Sequence, residues 1–181
     1  MVSNRMNRRT KRSKRSKRRR TRRRQRGGNI PLLDNSDNVP ITTPSSIEFN
    51  VRFMPSLKAT EEGTVLTIYQ AQPEPHATWT APPPNILYTL ICWDPDAPEK
   101  SFLHWLIINC SGSEVSTGKV ITNWSPPSPP SGQHRYIFGL FQQAGPLIMA
   151  PMDSKGGFNP STFATQHSLA PLKYKGVRVD A

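Results

Sequence analysis

Ile86-Leu-Tyr-Thr-Leu-Ile-Cys-Trp93, running directly into Asp94-Pro-Asp-Ala-Pro98, is the stretch that decides the fold. An apolar run of this length, rich in β-branched and aromatic side chains, reads as a strand buried on both faces. The turn that stops it is stiffened by two prolines, which fix their own φ and bias the residue before each towards extended geometry. Asp94 and Asp96 are thereby displayed at a strand end, where a rigid sheet holds positions and the loops carry chemistry. An aspartate in such a turn also bonds its own backbone, so a capping role competes with a binding role for each of them.

The same arrangement recurs outward from that stretch. Residues 103–109 form a second near-continuous apolar run with His104 at its start, and residues 136–141 form a third, entered through Pro129-Pro-Ser-Gly-Gln-His-Arg-Tyr136. Towards the N-terminus, residues 47–53 alternate apolar and polar side chains, the signature of a half-buried strand, and shorter strands are expected at 65–69 and 76–79. Nineteen prolines, many of them in the connections 82–84 and 126–130, argue against long helices. The best helix candidate is 160–167, with Asn159 as N-cap and Pro160 at the first position, where a missing N–H costs nothing. No internal repeat is visible. The pattern predicts a mainly β fold: a two-sheet antiparallel sandwich with one or two short helices.

The charge is unevenly spread. Residues 1–26 hold fifteen of the 24 Lys and Arg residues and no acid, which leaves nine basic against twelve acidic residues in the remainder. The formal net charge of +12 therefore belongs to an arm, and the rest of the chain is mildly acidic. Such a segment repels itself and has nothing to bury, so residues 1–28 are expected to be a disordered polybasic arm, followed by an extended linker over 29–46 and a domain over 47–181. Its Lys/Arg tracts over residues 5–26 suit nucleic acid, a nuclear address or an anionic membrane surface. Cys92 and Cys110 both lie in apolar, strand-like contexts and read as buried free thiols. With two cysteines and no signal peptide or membrane-length apolar run, an intracellular, non-secreted protein is expected, nuclear through its arm or else cytoplasmic.

Asp94, Asp96, His104, His134 and Tyr136 each stand at the edge of a buried strand. A carboxylate bonded to one imidazole nitrogen fixes the tautomer and favours the imidazolium, so that the other nitrogen points a donor outward. With a tyrosine hydroxyl and a glycine-containing turn at Gly132, the set suits a small anion such as phosphate, carboxylate or sulfate. No nucleophile elbow, Ser/His/Asp triad or phosphate loop is present, so no catalytic residue is assigned. The spacing matches no zinc signature, so neither a metal nor a cofactor is expected. Arg135, beside a candidate pocket histidine, reads as a brace for the loop.

At these residues the chain resembles the phosphatidylethanolamine-binding protein family, which includes kinase-inhibitor and plant flowering-regulator branches. The resemblance is carried by Thr64-Val-Leu-Thr67 with Gln70-Ala-Gln72 and Pro75, by Leu87-Tyr-Thr-Leu90 leading into Asp94-Pro-Asp-Ala-Pro98, by His104-Trp-Leu-Ile-Ile-Asn109, and by Pro129-Pro130 with His134-Arg135-Tyr136. Phe158, Phe163, Ala164, Leu169 and Pro171 resemble the family's final helix and strand. Together they cover residues 47–181. The resemblance implies a Greek-key element in the sandwich and a shallow anion pocket lined by Asp94, Asp96, His104, Pro130, His134 and Tyr136. It implies a non-enzymatic binding or regulatory protein whose ligand is a phosphoryl-bearing small molecule, a phospholipid headgroup or a protein partner; a monomer is expected. Two alternatives stand beside it: a nucleic-acid-associated structural protein acting through its arm with a vestigial pocket, and a kinase or protease inhibitor.

Overall fold

The computed structural model describes residues 31–34, 37, 39, 40, 42, 45–80, 83 and 85–181. The expected arm, residues 1–28, and residues 29, 30, 35, 36, 38, 41, 43 and 44 of the expected linker lie outside the described residues. The described chain forms nine strands and one α-helix. They are β1 (Phe49–Met54), β2 (Leu57–Lys58), β3 (Thr64–Leu66), β4 (His76–Trp79), β5 (Tyr88–Asp94), β6 (Phe102–Cys110), β7 (Lys119–Thr122), β8 (Gln133–Gln143), α1 (Pro160–Gln166) and β9 (Leu169–Asp180), with a 3-10 turn at Val115–Thr117.

The strands make two sheets, a three-stranded one ordered β2-β1-β4 and a six-stranded one ordered β3-β9-β8-β5-β6-β7. Within the large sheet β5, β6 and β7 follow one another as neighbours, and β8 returns to lie on the far side of β5, which is the Greek-key order. Every pairing is antiparallel except that of β3 with β9, which is parallel. The two-sheet antiparallel sandwich read from the sequence is present, with this one parallel pair at its edge. The departure is small because β3 is only three residues long.

Both faces of the large sheet are covered, which accounts for its continuous apolar strands. Leu90, Cys92, Trp105, Phe138 and Leu140 point into one core against Phe49, Val51, Phe53, Ala77 and Trp79 of the small sheet. Their neighbours Ile91, Trp93, Leu106, Ile108 and Ile137 point the other way, into a second core with Leu32, Phe158, Phe163 and Ala164. The helix starts as its sequence dictates. The Thr162 N–H donates to Asn159 Oδ1 at 2.9 Å and Pro160 takes the first position. It ends one residue before the expected His167.

The lead-in before β1 packs on the large sheet. Leu32 is 2% exposed in the second core, and the Tyr174 hydroxyl donates to the Pro40 carbonyl at 2.9 Å. β9 carries Pro171 beside a break in register, where Phe141 faces Pro171 while Leu140 faces Lys173, so Leu172 is unpaired. A bulge is one of the few places a sheet tolerates proline.

Candidate functional site

Three strand ends of the large sheet converge on one cleft. β5 delivers Asp94 at its last position, and β8 begins with His134 at its second and Tyr136 at its fourth. Trp93 pairs with Ile137, so Asp94 stands opposite Tyr136 and shares a sheet face with Tyr136 and His134. His104 arrives differently. Cys92 faces Trp105 and Trp93 faces Leu103, so His104 is the extra residue of a β-bulge. Bulges re-aim side chains, and here the His104 ring stands edge-on to Tyr136, 4.9 Å between centroids.

Asp94 is 3% exposed and uses both carboxylate oxygens. Oδ1 accepts the Asp96 N–H at 2.8 Å, closing the turn on itself. Oδ2 lies 2.7 Å from His134 Nδ1, inside a pair whose side chains are both under a tenth exposed. The capping and pairing roles that competed in the sequence are thus both filled by one residue. Burial raises the Asp94 pKa above its ordinary value, and the His134 hydrogen bond offsets only part of the rise. An ionised carboxylate can only accept, so the proton between the two sits on His134 Nδ1, leaving Nε2 for the cleft.

His104 is oriented by the backbone. Its Nδ1 lies 2.6 Å from the Ser125 carbonyl, which can only accept, so Nδ1 carries the proton. Burial pushes its pKa down to about 4, with the nearby Lys155 charge adding to the effect. At neutral pH, Nε2 of His104 is therefore a lone-pair acceptor. The sequence reading expected a donor at the free nitrogen. For His104 the desolvation of the ring reverses that expectation. Tyr136, 1% exposed, is held protonated by burial and then by the Asp94 charge, so its hydroxyl keeps a proton to donate.

The cleft has a volume of about 420 Å³. Asp94, His104, Pro130, His134 and Tyr136 all line it, and so do Glu99, Phe102 and Ser125, which the sequence reading did not single out. Asp96 is not among its lining residues. Its carboxylate grips Arg135: Oδ2 accepts from the Arg135 backbone N–H and Nε, each at 2.9 Å, and Oδ1 accepts from Nη2 at 2.7 Å. Burial alone would raise the Asp96 pKa, but the Arg135 bonds and charge outweigh it and hold the carboxyl below its ordinary value. The guanidinium's other edge is taken by Asp37, at 2.7 and 3.0 Å, and by the Leu32 carbonyl at 3.2 Å. Arg135 braces the loop, as its position suggested, and it does so between two carboxylates.

Sequence reasoning had no local signal for Asp37, which lies 98 residues from its partner. It also missed Lys155, whose Nζ donates to Ser125 Oγ at 2.6 Å. Among the described residues no group of three or more His, Cys, Asp or Glu side chains is placed to hold a metal ion.

Residues 51–177 match the family model described as phosphatidylethanolamine-binding protein. The chain belongs to that family. It is 36% identical over 122 residues to a 26 kDa secreted antigen of Toxocara canis, across 59% of this chain and 46% of that protein. It is 37% identical over 95 residues to Protein MOTHER of FT and TFL1 homolog 2 of Oryza sativa subsp. japonica, across 47% of this chain and 55% of that one. The chain thus spans about half the length of the curated relatives it matches. Among solved structures, a carboxypeptidase Y inhibitor complexed with its cognate proteinase superposes with a TM-score of 0.67 at 18% identity, covering 76% of this chain and 84% of that chain. That likeness is one of fold.

The expectation of an intracellular, non-secreted protein is overturned, because a relative at 36% identity is a secreted antigen. The physical reason lies in the core. Cys92 and Cys110 are buried free thiols in a sandwich held by packing, so their number carries no information about a redox compartment. No helix among the described residues is long and apolar enough to cross a membrane.

Proposed function

We propose that the protein is a non-enzymatic binding protein whose cleft takes a phosphoryl group, presented by a small molecule, a lipid headgroup or a modified protein partner. The observation that carries this reading is the buried Asp94–His134 pair, 2.7 Å apart, with the second imidazole nitrogen left for the cleft. Asp94 holds the Nδ1 proton and so fixes the orientation of the ring, which makes Nε2 the His134 atom that meets the hydrogen-bonding groups of a phosphoryl ligand. Tyr136 supplies a neutral donor beside it. His104 Nε2, an acceptor at neutral pH, suits the O–H of a hydrogen phosphate or the N–H of an attached ammonium group. Asp96 acts at one remove, by bracing through Arg135 the turn that carries Asp94.

The arrangement supports binding more than turnover. A phosphoryl group there would meet hydrogen-bonding groups on rigid strand ends, and no activated nucleophile is positioned among them. The test is a titration of the full chain with phosphate and with glycerophosphoethanolamine, read at the histidine ring protons. His76 and His167, which do not line the cleft, serve as internal references for ions gathered by the basic arm. Saturable shifts are expected at His104 and His134, and they should vanish in His134→Ala. No saturable response up to tens of millimolar would overturn the proposal and leave the arm as the place to seek function.

A further inference from the structure

Resting on that reading of the cleft, we propose that Ser125 is a ligand-contacting donor and that Lys155 is the positioning residue behind it, a pair that makes the cleft select doubly charged phosphomonoesters over singly charged phosphodiesters. Ser125 lines the cleft. Its backbone is fixed on both sides by His104, since the Ser125 N–H donates to the His104 carbonyl at 2.8 Å and the Ser125 carbonyl accepts from His104 Nδ1 at 2.6 Å. Its Oγ accepts from Lys155 Nζ at 2.6 Å. An ammonium has three donors and no acceptor, so the Ser125 hydroxyl proton is not used by Lys155. It has no acceptor elsewhere among the described residues. A hydroxyl that accepts from a cation is a strengthened donor, and chains of this kind reinforce one another.

Lys155 is held in place by more than its ammonium. Its carbonyl accepts the Leu103 N–H at 2.8 Å, which ties the loop before α1 to the start of β6. It forms no ion pair with a carboxylate among the described residues. Among the described residues no lysine or arginine lines the cleft itself, whereas Asp94 and Glu99 do. Asp94 is matched by His134, but Glu99 would repel an entering anion. Lys155, acting through Ser125, is the cation positioned to offset it. The Coulomb attraction to that ammonium doubles when the ligand's charge doubles, while the number of hydrogen bonds need not change. Charge selectivity is therefore the signature of Lys155 that a purely structural role would lack.

The experiment uses the full chain at a pH where phosphoethanolamine is a dianionic monoester and glycerophosphoethanolamine a monoanionic diester, both carrying the same ammonium group. Affinities are read at the ring protons of His104 and His134. The wild type should prefer phosphoethanolamine. Lys155→Met should lose about tenfold for the monoester and less than about threefold for the diester, Lys155→Arg should restore most of the difference, and Ser125→Ala should weaken both. Thermal melts of each variant separate a lost contact from a lost fold. Equal losses for the two ligands in Lys155→Met, or wild-type binding by Ser125→Ala, would overturn the assignment. If the wild type binds and only His134→Ala fails, the cleft stands and the pair is structural. A wild type silent to both ligands removes the cleft reading and this inference with it.

Discussion

His104 stays neutral through the physiological range because burial of its ring outweighs the hydrogen bond to the Ser125 carbonyl, which on its own would favour protonation. That has a consequence for stability. The ordinary value is 6.5 and the folded value about 4, so between those pH values the unfolded chain binds a proton that the native chain refuses. Stability is then complete above pH 6.5 and falls as the pH drops, by about 1.4 kcal/mol per unit, on the order of 3 kcal/mol by pH 4. Asp94 works in the opposite sense. Its raised pKa means that the native carboxyl holds a proton the unfolded chain has already released, so its contribution fades as pH rises past the unfolded value. His104→Asn removes the first effect and leaves the second. Denaturant melts at pH 7 and pH 4.5 should therefore differ by about 2 kcal/mol less in the variant than in the wild type. An equal difference in the two proteins would refute the assignment, as would a wild-type His104 midpoint near 6.5.

At the scale of elements, the turn from Asp94 to Pro98 is held from both sides, by His134 on the cleft side and by Arg135 on the other. Arg135→Met would strand Asp37, whose side chain is 5% exposed, and Asp96 beside it. Removing one partner of a buried ion pair costs about 3–5 kcal/mol, much of it from the charge left behind. Combining Arg135→Met with Asp37→Asn and Asp96→Asn should therefore recover part of the loss, and urea melts of the two variants test this. A triple variant less stable than the single one would contradict the argument. The elements legible in the sequence were those whose burial pattern is uniform. β5, β6 and β8 are buried on both faces and read as unbroken apolar runs, and α1 was marked by Asn159 and Pro160. β7 went unread because four residues with Lys119 and Val120 exposed show no period, and β9 was marked only by the resemblance at Leu169 and Pro171, because the alternation of Leu172 to Lys175 loses its phase at Gly176. The cleft histidines were visible beside strand ends, but the bulge that aims His104 depends on pairing register. Asp37 and Lys155 act over distances in sequence that no local pattern reports.

The whole molecule joins a basic N-terminal sequence to a mildly acidic remainder, and its first described residues are part of the folded unit. Leu32 fills the second core and Asp37 completes the Arg135 clasp, so the boundary that matters for stability falls before residue 32. Two truncations separate the roles. Deleting residues 1–26 removes fifteen cations and no acid. If the full chain binds duplex DNA through about eight phosphate contacts, log K should fall with log salt at a slope of roughly −7, and that binding should disappear in the shorter chain. Its melting temperature and its cleft titration should not change. Deleting residues 1–40 additionally opens a cavity at Leu32 and leaves Arg135 with Asp96 alone. Core truncation and the loss of a buried partner each cost a few kcal/mol, though not additively. At about 2–4 °C per kcal/mol for a domain of this size, the second truncation should melt about 10 °C lower. A comparable drop in the first truncation would show that the basic segment supports the fold. An unchanged melt in the second would mean that the clasp on Arg135 holds nothing in place.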